Sequence, residues 1–287
     1  MTITVSSLFL YPIKACRPLS LRSAFLGPRG LEFGGIGDRR LMLVDAEGSY
    51  VSQRQRPELA VVTVAPEDGR LLVSAPGAGV TKVDLADIGS PRSVLLFGKE
   101  VIARPCAREA ARWFSNFLGQ KVELVYQTDE DLRLAKPEYA VNPGADHVGY
   151  ADAFPFLIVN DASLRTLNEV LPVPVPMNRF RPNIVVSGAP SDAEYGWTRI
   201  AVGCGELAVV KPCDRCVVTT IDQEKGQRTG ADPLATLARI RLMDQDWRGG
   251  HIRGAIFGQN AIATIQGTIA VGDMVTLLES GSPPAWK

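Results

Sequence analysis

The sequence predicts a β-rich α+β fold: two packed β-barrel-like domains with a few flanking helices. Three observations carry this reading. Short strand-like runs separated by turn signals follow one another through residues 1–104, helical spacing is confined to a few stretches, and a late turn reads Val271-Gly272-Asp273-Met274-Val275, a form common in small barrels. Strands in series with few helices argue for barrels or sandwiches rather than alternating β and α units. At 287 residues the chain suits one large domain or two intimate ones, with ample core.

The elements follow in order. The runs at 41–44 and 50–53 flank a turn-rich 45–49, a hairpin connection. The runs at 59–64 and 70–74 flank Pro66-Glu67-Asp68-Gly69, where glycine supplies the unusual backbone angle. The runs at 94–97 and 100–103 are separated by Gly98-Lys99, the strongest hairpin signal of this half. A helix is expected over 107–118, with Ala110, Trp113, Phe114, Phe117 and Leu118 on one face and Gly119 at its stop. Residues 121–126 alternate like a half-buried strand. Residues 128–150, rich in Asp, Glu, Pro, Asn and Gly and without a period, read as a loop draped over the surface between two halves.

The second half opens with a strand at 156–159, after which Asn160-Asp161 caps a helix bearing Leu164, Leu167 and Leu171. The prolines at 172, 174 and 176 stop it. A strand follows at 183–187, and the runs 198–202 and 206–211 bracket Gly203-Cys204-Gly205, a tight hairpin. Asp232-Pro233 starts a helix with Leu234, Leu237 and Ile240 on one stripe.

Composition narrows the function. Apolar residues make up 46%, charged residues 22%, and the formal net charge is zero, which gives no support for a nucleic-acid binder. The first eleven residues lack a basic start and a long apolar run, so they read as a strand rather than a signal peptide, and no window approaches a membrane span. Five cysteines (Cys16, Cys106, Cys204, Cys213 and Cys216) are scattered and odd in number, unlike a disulfide framework. A reducing cytoplasm is the expected home.

The chemistry is densest at Lys211-Pro212-Cys213-Asp214-Arg215-Cys216-Val217-Val218-Thr219-Thr220. A neighbouring cation lowers a thiol's pKa, and thiolate both attacks electrophiles and binds soft metals. The pair therefore reads as metal ligand, redox dithiol or nucleophile. Structural zinc asks for about four ligands, and His147 and His251 are isolated in the sequence. A cysteine-bound iron–sulfur cluster asks for four thiolates. A thioredoxin-like dithiol asks for a helix after the pair, whereas residues 217–221 read as a continuing strand. A buried structural cysteine is the competing reading for Cys213, and Cys16, Cys106 and Cys204 read as structural in this sense. Three cationic stretches look like parts of an anion pocket: Tyr11-Pro12-Ile13-Lys14-Ala15-Cys16, Gly37-Asp38-Arg39-Arg40, and Arg179-Phe180-Arg181-Pro182-Asn183. Taken singly, each equally fits a solvated loop.

Jointly and in this order, these motifs resemble the MOSC superfamily. More narrowly, the chain resembles the two-part proteins that join an N-terminal MOSC β-barrel domain to a MOSC domain, as in the mitochondrial amidoxime-reducing component and its bacterial relatives. The resemblance runs from Leu8 to Leu277 and implies an N-terminal domain over 1–127, a connecting loop over 128–150 and a MOSC domain over 151–280. It implies a molybdenum cofactor, Mo-molybdopterin, with the metal held by its dithiolene and by Cys216, the catalytic residue. Cys213 and Asp214 match positions lining the pterin, Lys14 and Arg39 residues reaching it from the first domain, and Arg181 one from the second. Ala153 and Phe154 match a loop that offers backbone groups, and Asn260 a late loop contact. Ala15 stands where the family often carries serine, leaving the backbone amide but no hydroxyl. The implied reaction is two-electron reduction of small N-hydroxylated substrates (amidoximes, hydroxylamines, N-hydroxylated bases). Electrons are expected from an external electron-transfer protein, a flavin reductase, ferredoxin or haem protein, with no nucleic-acid or membrane partner. The alternative is a molybdenum-cofactor or sulfur carrier using a persulfide on Cys216, although the chain carries no pyridoxal-phosphate domain of a self-sufficient sulfurase.

Overall fold

The computed structural model describes residues 2–67, 69–284 and 286, and its architecture is the β-rich α+β fold expected. Part of the 66–69 turn, Asp68, and two residues of the C-terminal segment, Ala285 and Lys287, lie outside the described residues. The main sheet has nine strands. Eight run in the order Leu19–Leu21, Thr4–Leu10, Ile184–Ser187, Phe156–Asn160, Gly250–Ile265, Gly205–Asp214, Trp197–Val202, Val275–Ser280, and Leu242–Trp247 pairs with Gly250–Ile265 off that path.

The first strand of the chain thus lies in the sheet of the second half. Thr4–Leu10 pairs antiparallel with Ile184–Ser187, setting Val5 opposite Val186 and Leu8 opposite Ile184, four buried aliphatics that no water-exposed edge would accommodate. The exchange is mutual, because Gly267–Ala270 pairs with Ser23–Gly27 in a four-stranded sheet completed by Gly30–Phe33 and Ile36–Gly37. Segments 1–127 and 151–280 are therefore interlocked by hydrogen bonds, and one core cluster draws on Leu10, Leu41 and Leu124 as well as Ile158, Ile200 and Val209.

The rest of the first half forms a four-stranded sheet (Arg92–Leu96, Lys99–Pro105, Val122–Tyr126, Leu41–Asp45) and a three-stranded one (Thr63–Glu67, Arg70–Ala75, Gly79–Asp84). Helix α1 (Arg108–Leu118) buries Ala110, Phe114 and Leu118, and Gly119 ends it in the left-handed conformation at φ 59°. Helix α2 (Asp161–Val170) starts as expected: the Asn160 side chain accepts a hydrogen bond from the Ala162 N–H at 3.1 Å. Helix α3 (Leu234–Ile240) buries Thr236 and Leu237. Among the described residues no helix is long and apolar enough to cross a membrane.

Several local expectations need correction. Residues 217–221 do not continue a strand: Gly205–Asp214 ends before Cys216, and Val217–Thr220 is a 3-10 turn whose Thr219 and Thr220 hydroxyls donate back to Cys216 and Val217 carbonyls. Residues 59–64 open as a 3-10 turn, Pro57–Val61, because Pro57 presets the first turn. Residues 50–53 are not a strand, for past one bridge between Val44 and Tyr50 the chain turns, and Ser52 accepts at its carbonyl from the Gln55 and Arg56 N–H groups. The hairpin turn is Phe97-Gly98 rather than Gly98-Lys99, since Leu96 pairs with Lys99 and φ is 53° at Phe97 and 74° at Gly98. Residues 128–150 do form a connection without strands, yet Ala135, Tyr139, Val148 and Tyr150 are buried within it.

Candidate functional site

The two halves meet at an open-mouthed crevice enclosing about 870 Å³, solvent at its mouth included. Its lining contains all ten residues singled out from sequence: Lys14, Ala15, Arg39, Ala153, Phe154, Arg181, Cys213, Asp214, Cys216 and Asn260. Cys213, Asp214 and Asn260 arrive on strands of the main sheet and the rest on segments between strands. The 11–16 segment is zipped onto 39–41, where Arg39 N–H donates to the Tyr11 carbonyl at 2.6 Å and Lys14 N–H to that of Leu41 at 2.7 Å. Gly149 lets the connecting segment lie against the same corner, because a Cβ there would stand 2.8 Å from the Asp38 carbonyl oxygen. Arg133 clamps the following residues, donating to the Gly149, Ala151 and Asp152 carbonyls. Asn260 sits in the middle of the main sheet, opposite both Leu157 and Lys211.

Backbone strain concentrates here. Among the described residues six non-glycine positions have positive φ, and four of them, Ala15, Arg39, Phe97 and Arg181, line the crevice. Such conformations cost free energy for residues with a Cβ and persist where the surroundings over-determine them, which happens most at binding and catalytic sites.

Two arginines form the floor. Arg39 and Arg181 both lie over the Tyr11 ring, at 4.3 and 4.4 Å from its centroid. Arg39 is paired with the buried Asp38, which also accepts from the Tyr11 N–H at 2.8 Å and the Asn183 amide at 2.9 Å. Burial opposes the Arg39 charge, but Asp38 outweighs it, so its pKa rises. Arg181 has no carboxylate: it donates to Gln223 Oε1 at 3.0 Å and to the Cys16 carbonyl at 2.8 Å, and burial lowers its pKa. An unneutralised buried guanidinium aimed at a crevice suits an anion.

Lys14, nearly buried, pairs with Asp152 at 2.5 Å. Burial pulls its pKa down to about 8, against the Asp152 charge that raises it. The Asp152 side chain is itself 72% exposed, and what desolvation the crevice imposes is outweighed by Lys14, Arg39 and Arg215, which hold the group below the ordinary carboxylate range. Altogether five cationic side chains (Lys14, Arg39, Arg54, Arg181, Arg215) face two carboxylates (Asp152, Asp214), three charges in excess in a chain of zero formal charge.

The two thiols are not equivalent. Cys213 accepts a hydrogen bond from Arg215 Nη1 at 2.9 Å, packs beside the Leu157–Phe257 cluster, and burial raises its pKa despite Arg215. Cys216 follows on extended backbone (φ −126°), and its hydrogen bond with Arg54 raises the Arg54 pKa. Burial pushes Cys16 and Cys106 up to about 12, so both are inert thiols at neutral pH. Among the described residues no group of three or more His, Cys, Asp or Glu could hold a bare metal ion. One thiol beside a cationic pocket fits instead a metal that arrives with its own sulfur ligands and an anionic handle, as a molybdopterin does.

Sequence reading missed Tyr50, Ser52, Gln53, Arg54 and Phe97, which also line the crevice. Gln53, in the lining, and Gln223, outside it, exchange reciprocal amide hydrogen bonds at 3.0 and 3.1 Å, joining the two halves. The turn chemistry of 52–56 was the available signal for this segment, overridden by its β-branched start.

The chain is similar to known proteins over most of its length. Residues 2–121 match the model of the MOSC N-terminal beta barrel domain and residues 145–276 that of the MOSC domain. The chain is 38% identical over 282 residues to mouse mitochondrial amidoxime-reducing component 1, covering 96% of this chain and 82% of that one. It is 33% identical to the human component 1 (96% and 83% covered) and 33% identical to the bovine component 2 (95% and 82%).

Proposed function

The chain belongs to the MOSC family, as a two-part member related to the amidoxime-reducing components, and from that premise we propose that it is an oxidoreductase that reduces N-hydroxylated compounds. The observation that carries the proposal is the convergence of both halves on one crevice lined by the Cys213 and Cys216 thiols beside three cations, Lys14, Arg39 and Arg181. When bound, the molybdenum cofactor supplies a centre that accepts an oxygen atom in a two-electron step. Overall, one N–O bond breaks, two electrons and two protons are consumed, and an amine or amidine leaves with water.

The chain's own residues do the rest. Lys14, Arg39 and Arg181 hold the phosphate, with Asp38 and the Tyr11 ring fixing the arginines. Cys213, Asp214, Ala153, Phe154 and Asn260 wall the pterin, and the Ala15 main chain lies beside them. The strand Gly205–Asp214 is a rigid base from which Cys216 is presented, an arrangement that keeps a metal ligand in place through turnover. Electrons come from a separate electron-transfer protein.

The test pairs two substitutions. Cys216→Ala abolishes reduction of benzamidoxime by protein purified from a molybdenum-replete host, with the melting temperature unchanged within about 2 °C, as expected for a partly exposed site. Cys213→Ala retains turnover. Full activity of Cys216→Ala overturns the assignment.

A further inference from the structure

Phe97 lines the crevice without being among the residues assigned to the cofactor, yet the fold keeps it at a cost. It occupies the first position of the two-residue Phe97-Gly98 turn, where φ is 53° and where asparagine, aspartate or glycine is the residue the turn favours. An aromatic residue gains nothing in turn formation there. Its ring is 45% exposed, so hydrophobic burial does not explain it either. Observed strain of this kind points to a use for the side chain.

The surroundings say what use. The Phe97 ring meets the Tyr50 ring edge-on, with centroids 5.6 Å apart. Lys14 Nζ lies 5.0 Å from both ring centroids, and the Arg54 guanidinium lies 5.8 Å from that of Phe97. Arg54 and Cys216 line the same crevice as Phe97, so the ring and the thiol open onto one space. Outward from the crevice runs a second groove, which shares Tyr50, Ser52, Arg54 and Phe97 with it and continues to Leu95 and Gly98. The groove and the crevice thus share one wall, in which an aromatic ring stands beside a guanidinium.

We propose that Phe97 is a specificity-determining residue and that the groove it walls takes the non-reacting end of the substrate, selecting planar aromatic bodies over aliphatic ones. The proposal rests on the reductase reading given above and deepens it. Aromatic contact of this kind favours a ring-bearing substrate and leaves a small aliphatic one unaffected.

The test compares benzamidoxime with acetamidoxime, which share the reacting group and differ in the body. Binding is measured by calorimetry on oxidised, molybdenum-loaded protein without electron donor, and turnover separately. Phe97→Asn removes the ring while placing a residue suited to the turn. We expect its melting temperature to equal or exceed the parent's, its benzamidoxime affinity to fall about 5- to 20-fold, and its acetamidoxime affinity to change by less than about twofold. Phe97→Trp is expected to restore the aromatic preference. Equal weakening of both compounds in Phe97→Asn, or a parent protein that binds both alike, overturns the proposal. The expected binding pattern in a parent protein that turns over neither compound overturns the reductase reading and leaves the groove assignment standing.

Discussion

Asp38→Asn is the substitution that most sharply probes how the crevice is held. All three partners of the Asp38 carboxylate are donors: the Tyr11 N–H and the Asn183 amide on Oδ1, and the Arg39 guanidinium on Oδ2. An asparagine, whichever way it is turned, aims its NH₂ group at one of those donors and removes the counter-charge of Arg39. The carboxylate is fully buried and the Arg39 side chain 12% exposed, so the change strands a desolvated charge, at a cost of about 3–5 kcal/mol. With an unfolding entropy of about 0.6 kcal/mol/K for a chain of 287 residues, that loss lowers the melting temperature by about 5–8 °C. Removing the arginine as well isolates the cause. Asp38→Asn combined with Arg39→Met is expected to recover about 2 kcal/mol or more of the loss in chemical denaturation. A single-mutant loss under about 1 kcal/mol, or a double mutant no better than the single, refutes the argument that Asp38 neutralises and aims Arg39.

Three further outcomes are expected. Lys14 carries its charge below about pH 8 and loses it above, so sulfate, an anion of constant charge, is expected to bind apo protein evenly below pH 7 and up to tenfold more weakly per unit above 8. In Lys14→Met that bend disappears from the calorimetric titration, and its persistence would exclude Lys14 as the anion's partner. Gln223→Leu removes the donor to Gln53 Oε1 and to the Ile221 carbonyl, the acceptor of Arg181 Nη1 and one of the two acceptors of Gln53 Nε2, and a loss of about 2–4 kcal/mol is expected in urea unfolding, with weaker sulfate binding. Glu194, wholly buried and bonded to the Ser163 hydroxyl at 2.9 Å, has its pKa pushed up to about 7 by burial. The folded state therefore binds the extra proton between about pH 4.5 and 7, its contribution to stability falls as pH rises through that window, and the Glu194→Gln protein is expected to lose that slope relative to the parent.

What the sequence disclosed, and what it hid, follows from where the information lies. Motifs contiguous in the chain, such as Tyr11 to Cys16 or Lys211 to Thr220, carry their chemistry within a few residues, and the fold brings them together unchanged. Tyr50, Arg54 and Phe97 enter the crevice only through tertiary placement, and their neighbours in the sequence say nothing of a site. The left-handed backbone at Ala15, Arg39 and Arg181 is equally invisible, because glycine is absent at all three. Gly250–Ile265, the central strand of 16 residues, was missed because Gly254 and Gly258 interrupt its pattern; Gly258 is needed there, since a Cβ would stand 2.8 Å from the Val159 side chain. The sharing of sheets between the two halves is a further case. Pairing of Thr4 with Ser187 spans 183 residues, and alternation along one strand does not reveal its partner.

The central claim is that Cys216 supplies the protein's sulfur to a molybdenum held in the crevice. X-ray absorption at the molybdenum edge tests it most directly, on parent protein and Cys216→Ser prepared from a molybdenum-replete host. The expected result is about one molybdenum per chain with three sulfur neighbours in the parent, two from the dithiolene and one from Cys216, falling to two in the variant. A sulfur count unchanged by the substitution would contradict the account.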